Sequence, residues 1–448
     1  MTHSLERMLD MLLSFGYVAL GLIVPMLIIM ALLDVVRGTP IRAIGERGDN
    51  TGCPAIDDPF FPEAIELFTG ATLKPGHAVQ MFKNGDETYP PLWDDLRSAK
   101  SSITLQMYYC NKGKMADMLH DILVERARAG VAVYFLYDAF GTTLPKSYFK
   151  SLERAGVKTQ TFRPFSLLSL QKIQHRAHIR VVVVDGTIGY TGGFGIDDKW
   201  FGTGRVKNQW RDTNARFTGP AVRQLQATFA KCWTESTGRL LTSDRLFPPE
   251  ERPPLSGEPA ENADPGQLGA VLHASPTIGS TSAERFFALS IAAARTKLYI
   301  TNSYFVPDRA FRKLMCDAAR RGVDVRVLTT SKNSDVKSTW YAGRARYKHL
   351  LDAGVRIFEY QPSMMHAKTI VVDGEWLSIG SMNADNRSMS FNEESNLVML
   401  DTVAANQLET IFTDDMEYCE EIDPVTFSKR SVFARCAEMA CHLVWRVL

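Results

Sequence analysis

Four residues define the chemistry open to this 448-residue chain: His178 with Arg180 and, far downstream, His366 with Lys368. In each pair an imidazole is followed two positions later by a cation, and an aspartate, Asp185 or Asp373, stands seven positions after the histidine. In an extended segment residues i and i+2 share a face, so histidine and cation can meet one substrate while the aspartate falls on the other face or in the turn beyond. An imidazole beside a cation suits a phosphodiester. The ring can attack phosphorus or protonate a leaving oxygen, and the cation balances charge on the nonbridging oxygens. After the second pair come Ser381 and Asn383, donors for those oxygens, and Glu394, a carboxylate able to fix the tautomer of His366. Asp212 is the candidate carboxylate for His178, mirroring Glu394. A lone histidine at a strand edge would be read as structural; the recurrence of the whole pattern points instead to one site shared by two halves.

The rest of the chain repeats as well. Residues 127–133 (ARAGVAV) return as 319–325 (ARRGVDV), and 152–157 (LERAGV) return as 350–355 (LLDAGV), in the same order as the histidine segments. Apolar runs at 103–108, 131–137 and 179–184 alternate with amphipathic stretches at 115–129 and 146–155. The order recurs as strands 298–301, 323–329 and 369–372 with helices 309–321 and 344–353. This predicts an α/β fold of two duplicated units, each a mainly parallel sheet flanked by helices. The first unit spans 75–245 and the second 271–422. A Pro-, Gly- and Glu-rich linker over 246–270 separates them. Residues 423–448 mix basic and apolar residues as an amphipathic helix would, and 81–91 reads as a lid or access loop.

Residues 11–33 carry no charge over 23 positions, about 34 Å of helix, enough to cross a hydrocarbon core of roughly 30 Å. The run exceeds the apolar region of a signal peptide and no small-x-small cleavage site follows, so residues 1–40 read as a retained N-terminal membrane anchor. Arg37, Arg42 and Arg47 follow the span and Arg7 precedes it, which predicts a single-pass protein of the cell (inner) membrane with its catalytic part in the cytoplasm. With 51 basic against 50 acidic residues, overall charge offers no general nucleic-acid surface. Seven scattered cysteines without a C-x-x-C spacing argue against a disulfide framework and a zinc site, and no metal or other cofactor is expected.

The H-x-K-x-x-x-x-D pattern with a following G-[SG]-x-N resembles the phospholipase D superfamily, and its double form is specific among catalytic signatures. Tyr304–Asp308 (YFVPD), Tyr360–Lys368 (YQPSMMHAK), Asp385–Ser388 (DNRS), Trp210–Thr213 (WRDT) and Gly219–Leu225 (GPAVRQL) further resemble bacterial cardiolipin synthases, over roughly residues 79–402. The resemblance implies a phosphatidyltransferase that needs neither metal nor nucleotide. Its catalytic set would be His178, Arg180, Asp185, His366, Lys368 and Asp373, with Arg180, Lys368, Ser381 and Asn383 on the phosphate. One histidine attacks the phosphorus of phosphatidylglycerol, expels glycerol and forms a phosphatidyl-histidine. A hydroxyl of a second phosphatidylglycerol then displaces it to give cardiolipin, while the other histidine acts as acid and then base. Family analogy makes His178 the nucleophile and His366 the acid; the residues themselves leave the reverse open. The implied partners are a phospholipid and a membrane, without nucleic acid.

Two departures fall in the first half, where Arg180 takes the lysine position and Gly195 the asparagine position. Arg180 can fork to phosphate oxygens but is not a compact ammonium. A donor lost at an oxyanion-type position costs about 2.7–4 kcal/mol. The same residues would serve a phospholipase with water as acceptor or a membrane-bound nuclease. With a disabled first half they would suit a lipid-binding scaffold.

Overall fold

The computed structural model describes residues 39–45, 52–164, 174–249, 267–277 and 279–443, with Gly21, Val24 and Pro25. Apart from those three residues, the expected anchor over 11–33 lies outside the described residues, as does most of the linker. Among the described residues no helix is long and apolar enough to cross a membrane.

The first half supplies strands β1 (Ala78–Lys83), β2 (Ser102–Met107), β3 (Ala132–Asp138), β4 (Lys158–Phe162), β5 (Val181–Val184), β6 (Ile188–Gly192) and β7 (Thr213–Thr218). They form one sheet in the order β1-β7-β6-β5-β2-β3-β4. The second half supplies β8 (Leu268–Ala274), β9 (Lys297–Asn302), β10 (Asp324–Thr330), β11 (Arg356–Tyr360), β12 (Lys368–Val372), β13 (Trp376–Gly380), β14 (Glu394–Leu400) and β15 (Cys419–Glu421). Its order, β15-β11-β10-β9-β12-β13-β14-β8, repeats the first sheet and adds β15 at one edge.

The expectation of mainly parallel sheets is overturned. Pairing is parallel within β2-β3-β4 and β9-β10-β11. Every other neighbouring pair is antiparallel. The reason lies in the connections. Parallel neighbours are joined through helices, which need a long crossover. β5 and β6 are instead joined by a tight turn in which Asp185 and Gly186 both have positive φ (52° and 68°), and β12 and β13 by Asp373 and Gly374 (53° and 75°). Two left-handed central residues are the hairpin geometry that Asp-Gly favours.

Along the chain the helices are α1 (Phe60–Thr69), α2 (Asn84–Ser98), α3 (Lys114–Arg128), α4 (Lys146–Arg154), α5 (Pro220–Thr237), α6 (Ser282–Ala293), α7 (Arg309–Arg320), α8 (Lys337–Leu351), α9 (Asn386–Ser390), α10 (Thr402–Met416), α11 (Pro424–Ser428) and α12 (Val432–Leu443). The lid expected over 81–91 is the end of β1 and the start of α2. Strand alternation sorts the apolar residues. Val182 and Val184 join the core under α2 and α3, whereas Val181 and Val183 enter a core shared with Val371, Leu377 and Ile379 of the second half. That shared core joins the two sheets. α1 follows the anchor region in sequence yet packs Phe61 and Ile65 into the second unit's core, where Phe61 meets Trp376 edge-on at 5.2 Å.

Candidate active site

Both histidines lie in extended lead-ins, three residues before β5 and two before β12. Each lead-in is held by the other half. Ala177 bridges Glu393 and Met365 bridges Arg211. The N–H of Glu393 donates to the Arg176 carbonyl at 2.8 Å and the N–H of His366 to the Arg211 carbonyl at 2.7 Å. The residue after each bridge is a carboxylate, so the bridges deliver Glu394 to His178 and Asp212 to His366. Nδ1 of His178 lies 3.0 and 3.1 Å from the two oxygens of Glu394, and Nδ1 of His366 lies 2.9 Å from Asp212 Oδ2. The expected pairing, Asp212 with His178 and Glu394 with His366, is therefore exchanged: each carboxylate crosses to the opposite half. Arg211 anchors the Asp212 segment by a bidentate pair with Asp415 at 2.8 and 2.7 Å.

His178, His366, Arg180 and Asn383 line one cavity of about 440 Å3, together with Tyr108, Tyr304, Arg176 and Arg387. Tyr108 stands edge-on to His178 at 5.2 Å, and Trp200 and Trp210 flank His366 at 5.3 and 4.8 Å. Lys368 is buried behind the lining, its ammonium donating to Ser303 Oγ at 2.5 Å and to the His366 carbonyl. Arg180 is held by the carbonyls of Phe194 (3.2 Å) and His178 (2.9 Å).

Burial dominates the electrostatics. It drives both imidazoles well below their ordinary pKa, and the nearby cations Arg180 and Lys368 add to the effect. A neutral ring that gives its Nδ1–H to a carboxylate keeps its Nε2 lone pair. Burial also pushes Lys368 down to about 7. The two carboxylates part company. Burial works to raise Asp212, but its bond to His366, with Lys368 and Trp200 beside it, holds it below the usual aspartate value. Glu394 is lifted by burial to about 8 against the pull of Ser381 and Ser388.

Counted from the two turn aspartates, Gly193 matches Ser381, Gly195 matches Asn383, and Trp200 matches Ser388. Both glycines are required. A Cβ on Gly193 would meet Asp212 Oδ1 at 2.4 Å, and one on Gly195 would meet the Trp200 ring at 2.9 Å and the Tyr109 carbonyl at 3.0 Å. The Trp200 indole fills that volume and donates to Asp212 at 2.9 Å, as Ser381 and Ser388 donate to Glu394 at 2.6 and 2.7 Å. The first half has a different donor there, not a missing one.

Three expectations need correction. Asp185 and Asp373 are outside the site, at the far ends of β5 and β12. Asp185 accepts from the backbone N–H groups of Lys100, Ser101 and Ser102 at 2.9, 2.7 and 2.9 Å; Asp373 accepts from those of Arg295, Thr296 and Lys297 at 2.8 Å each. They pin the hairpins to β2 and β9, which is a structural duty. Ser381 gives its hydroxyl to Glu394 and does not line the cavity. Asn383 does line the cavity, with an Oδ1 that has no partner among the described residues. Sequence reasoning assigned no role to Trp200, Tyr108, Arg176 or Arg387. The match of Trp200 with Ser388 across the repeat was the available signal for the first of them.

A family model described as cardiolipin synthase, phospholipase D-like domain, matches residues 92–233 and 289–416. "Cardiolipin synthase 2" of Bacillus anthracis is 36% identical over 364 residues, covering 81% of this chain and 69% of that protein. "Cardiolipin synthase A" of Pseudomonas syringae pv. syringae is 35% identical over 347 residues, covering 77% and 69%. Among solved structures, phosphatidylserine synthase from Haemophilus influenzae superposes with a TM-score of 0.65 at 13% identity, over 86% of this chain and 99% of that one. At that identity the superposition speaks for the fold.

Proposed function

This chain belongs to the cardiolipin synthases of the phospholipase D superfamily, and from that premise we propose how its two histidine–carboxylate pairs divide the phosphatidyl transfer. The reading rests on one observation: two buried histidines, each held by a carboxylate of the opposite half, line a single cavity. Nε2 of His178 attacks the phosphorus of one phosphatidylglycerol and the bond from phosphorus to the glycerol oxygen breaks; His366 enters the step as the imidazolium, which Asp212 favours against burial, and gives its Nε2 proton to the departing glycerol. His366 then takes a proton from a glycerol hydroxyl of a second phosphatidylglycerol. That oxygen attacks phosphorus, the P–N bond breaks, and cardiolipin leaves with His178 restored. One phosphodiester is exchanged for another, so the cycle needs no external energy source.

The carboxylates support this division. Asp212 stays ionised and favours the imidazolium that an acid must form on His366. Arg180 and Lys368 lower both histidines, but only His366 has an ionised carboxylate acting against them, so His178 is the ring left without its proton and suited to be the nucleophile. Arg180 keeps its Nη2 donors for the nonbridging oxygens, and Lys368 adds charge from behind. Arg176 and Arg387, on the wall of the same cavity, are placed to take the phosphate of the second lipid. At the cavity lining Phe140 is 70% exposed and Val336 37%, an apolar rim suited to acyl chains. Residues 11–33 would anchor the enzyme in the membrane as a single pass, with the catalytic part cytoplasmic.

Mass spectrometry of lipid products tests the reading, with full-length protein in phosphatidylglycerol vesicles beside His178→Ala and His366→Ala. Cardiolipin plus free glycerol, absent from both variants, is the expected result. Phosphatidic acid as the sole product would make the protein a hydrolase, and no turnover would refute the lipid-transfer reading.

A further inference from the structure

A second cavity, of about 400 Å3, shares no lining residue with the catalytic one and is strongly basic. Arg309, Lys313, Cys316 and Arg320 line it from one face of α7, with Arg312 beside them, His349 from α8, and Arg42 from the segment ahead of α1. No carboxylate lines it. Asp317, next to it, pairs with Lys313 at 2.6 Å and Arg320 at 3.4 Å, leaving positive charge in excess. The side chains of Arg42 and Arg309 make no hydrogen bond or ion pair among the described residues, and the buried Nε of Arg312 has no partner there. Asp308 caps α7, accepting from the Phe311 N–H at 2.7 Å, so the helix end is already satisfied and the positive charge of the cavity comes from the side chains along the helix.

The location narrows the anion. Ile41 and Ile44 pack against the core of the second unit, fixing Arg42 over α7. Arg42 stands nine positions after the end of the uncharged run at Leu33, so the cavity lies within about 30 Å of where that run ends. Its floor is apolar, formed by Ala310, Cys316 and the arginine stems.

We propose that the cavity between Arg42, the Arg309–Arg320 face of α7 and His349 binds the phosphate of an anionic phospholipid headgroup, at a site separate from catalysis. Its placement beside a bilayer rests on the reading of residues 11–33 as an anchor; its chemistry does not. A headgroup there would hold α7 to the membrane surface, five residues after Tyr304 of the catalytic cavity.

The test is native mass spectrometry of the full chain in neutral detergent. His178→Ala/His366→Ala serves as the parent so that the probe is not consumed, and Arg309→Gln/Lys313→Gln/Arg320→Gln is added to it. Dioleoyl phosphatidylglycerol is compared with dioleoyl phosphatidylcholine. The triple change is expected to retain one anionic lipid fewer, with affinity at that site down about ten-fold or more, and phosphatidylcholine retention unchanged. Arg42→Gln, from the opposite wall and outside α7, is expected to weaken the same site should the triple variant fail to fold. Equal phosphatidylglycerol retention in parent and variants overturns the proposal. Displacement of the lipid by millimolar inorganic phosphate makes this a free-phosphate site and overturns the lipid assignment. In the otherwise intact enzyme the triple change is expected to leave cardiolipin formation in micelles within about two-fold, so the two readings fail separately.

Discussion

Replacing Asp212 by Asn tests the crossed pairing and the division of labour together. Asp212 accepts from His366 Nδ1 (2.9 Å), Trp200 Nε1 (2.9 Å) and the Thr213 N–H (2.9 Å). An amide offers one oxygen to these three donors and turns its own N–H2 toward one of them. A charge-assisted bond worth about 1.5–3 kcal/mol is lost and a buried donor is orphaned at about 1–3 kcal/mol. Together these give about 2.5–6 kcal/mol, or roughly 70- to 25,000-fold in turnover. Because Asp212 serves His366, the acid, the loss should depend on the leaving group. With a phosphatidyl ester of p-nitrophenol, which departs without a proton, the first-step loss is expected to fall below about ten-fold. Glu394→Gln removes the partner of His178 instead, and its loss should persist whatever the leaving group. That comparison belongs above the pKa of about 8 to which burial lifts Glu394, where the parent carboxylate is ionised. Single-turnover release of glycerol or p-nitrophenol, with acid-quench trapping of phospho-histidine, reads both variants. A leaving-group-sensitive Glu394→Gln beside an insensitive Asp212→Asn would refute the reasoning.

Other consequences are open to simpler assays. Lys368, pushed by burial to about 7, is half neutral near that pH in the free enzyme, and an incoming phosphodiester anion favours its charged form. Binding should then take up a proton above pH 7 and weaken by up to about ten-fold per pH unit, as read by calorimetry in buffers of different ionisation enthalpy; Lys368→Met should abolish the uptake. Gly195→Asn, which restores the asparagine of the second half, meets the Trp200 ring and the Tyr109 carbonyl. It should cost about 1–3 kcal/mol of stability and lower turnover, seen as a reduced Tm and slower cardiolipin formation. Asp373→Asn leaves one oxygen for three backbone N–H groups and sets an N–H2 against one of them, which should lower stability by about 1–3 kcal/mol, while kcat per folded molecule stays unchanged.

What the sequence disclosed, and what it hid, follows from the range of each interaction. The His178/Arg180 and His366/Lys368 pairs were legible because two-residue spacing fixes them on one side of an extended chain, and the repeat showed that both belong to one site. The four valines of β5 are buried on both faces and so imitate a parallel strand. The contrary signal lay in the catalytic pattern itself: Asp185-Gly186 and Asp373-Gly374 are hairpin dipeptides, read as chemistry when they were turns. The carboxylate partners lie 216 and 154 residues from their histidines, and no local pattern distinguishes pairing within a half from pairing across halves. A duplicated sequence permits both, and the bridges at Ala177 and Met365 decide it.

The crossing also changes what the first half's departures mean. A deviant first half suggested a weakened His178, yet the residues that hold His178, namely Glu394 with Ser381, Ser388 and Asn392, all come from the half whose motif is complete. The replacements act on the other histidine: Gly193 and Gly195 make room for Asp212 and Trp200, which together hold His366. Each histidine–carboxylate pair is thus a hybrid of both halves, and neither half can be disabled or perfected alone. Substitutions that look like decay in one half have to be judged by the histidine they serve in the other.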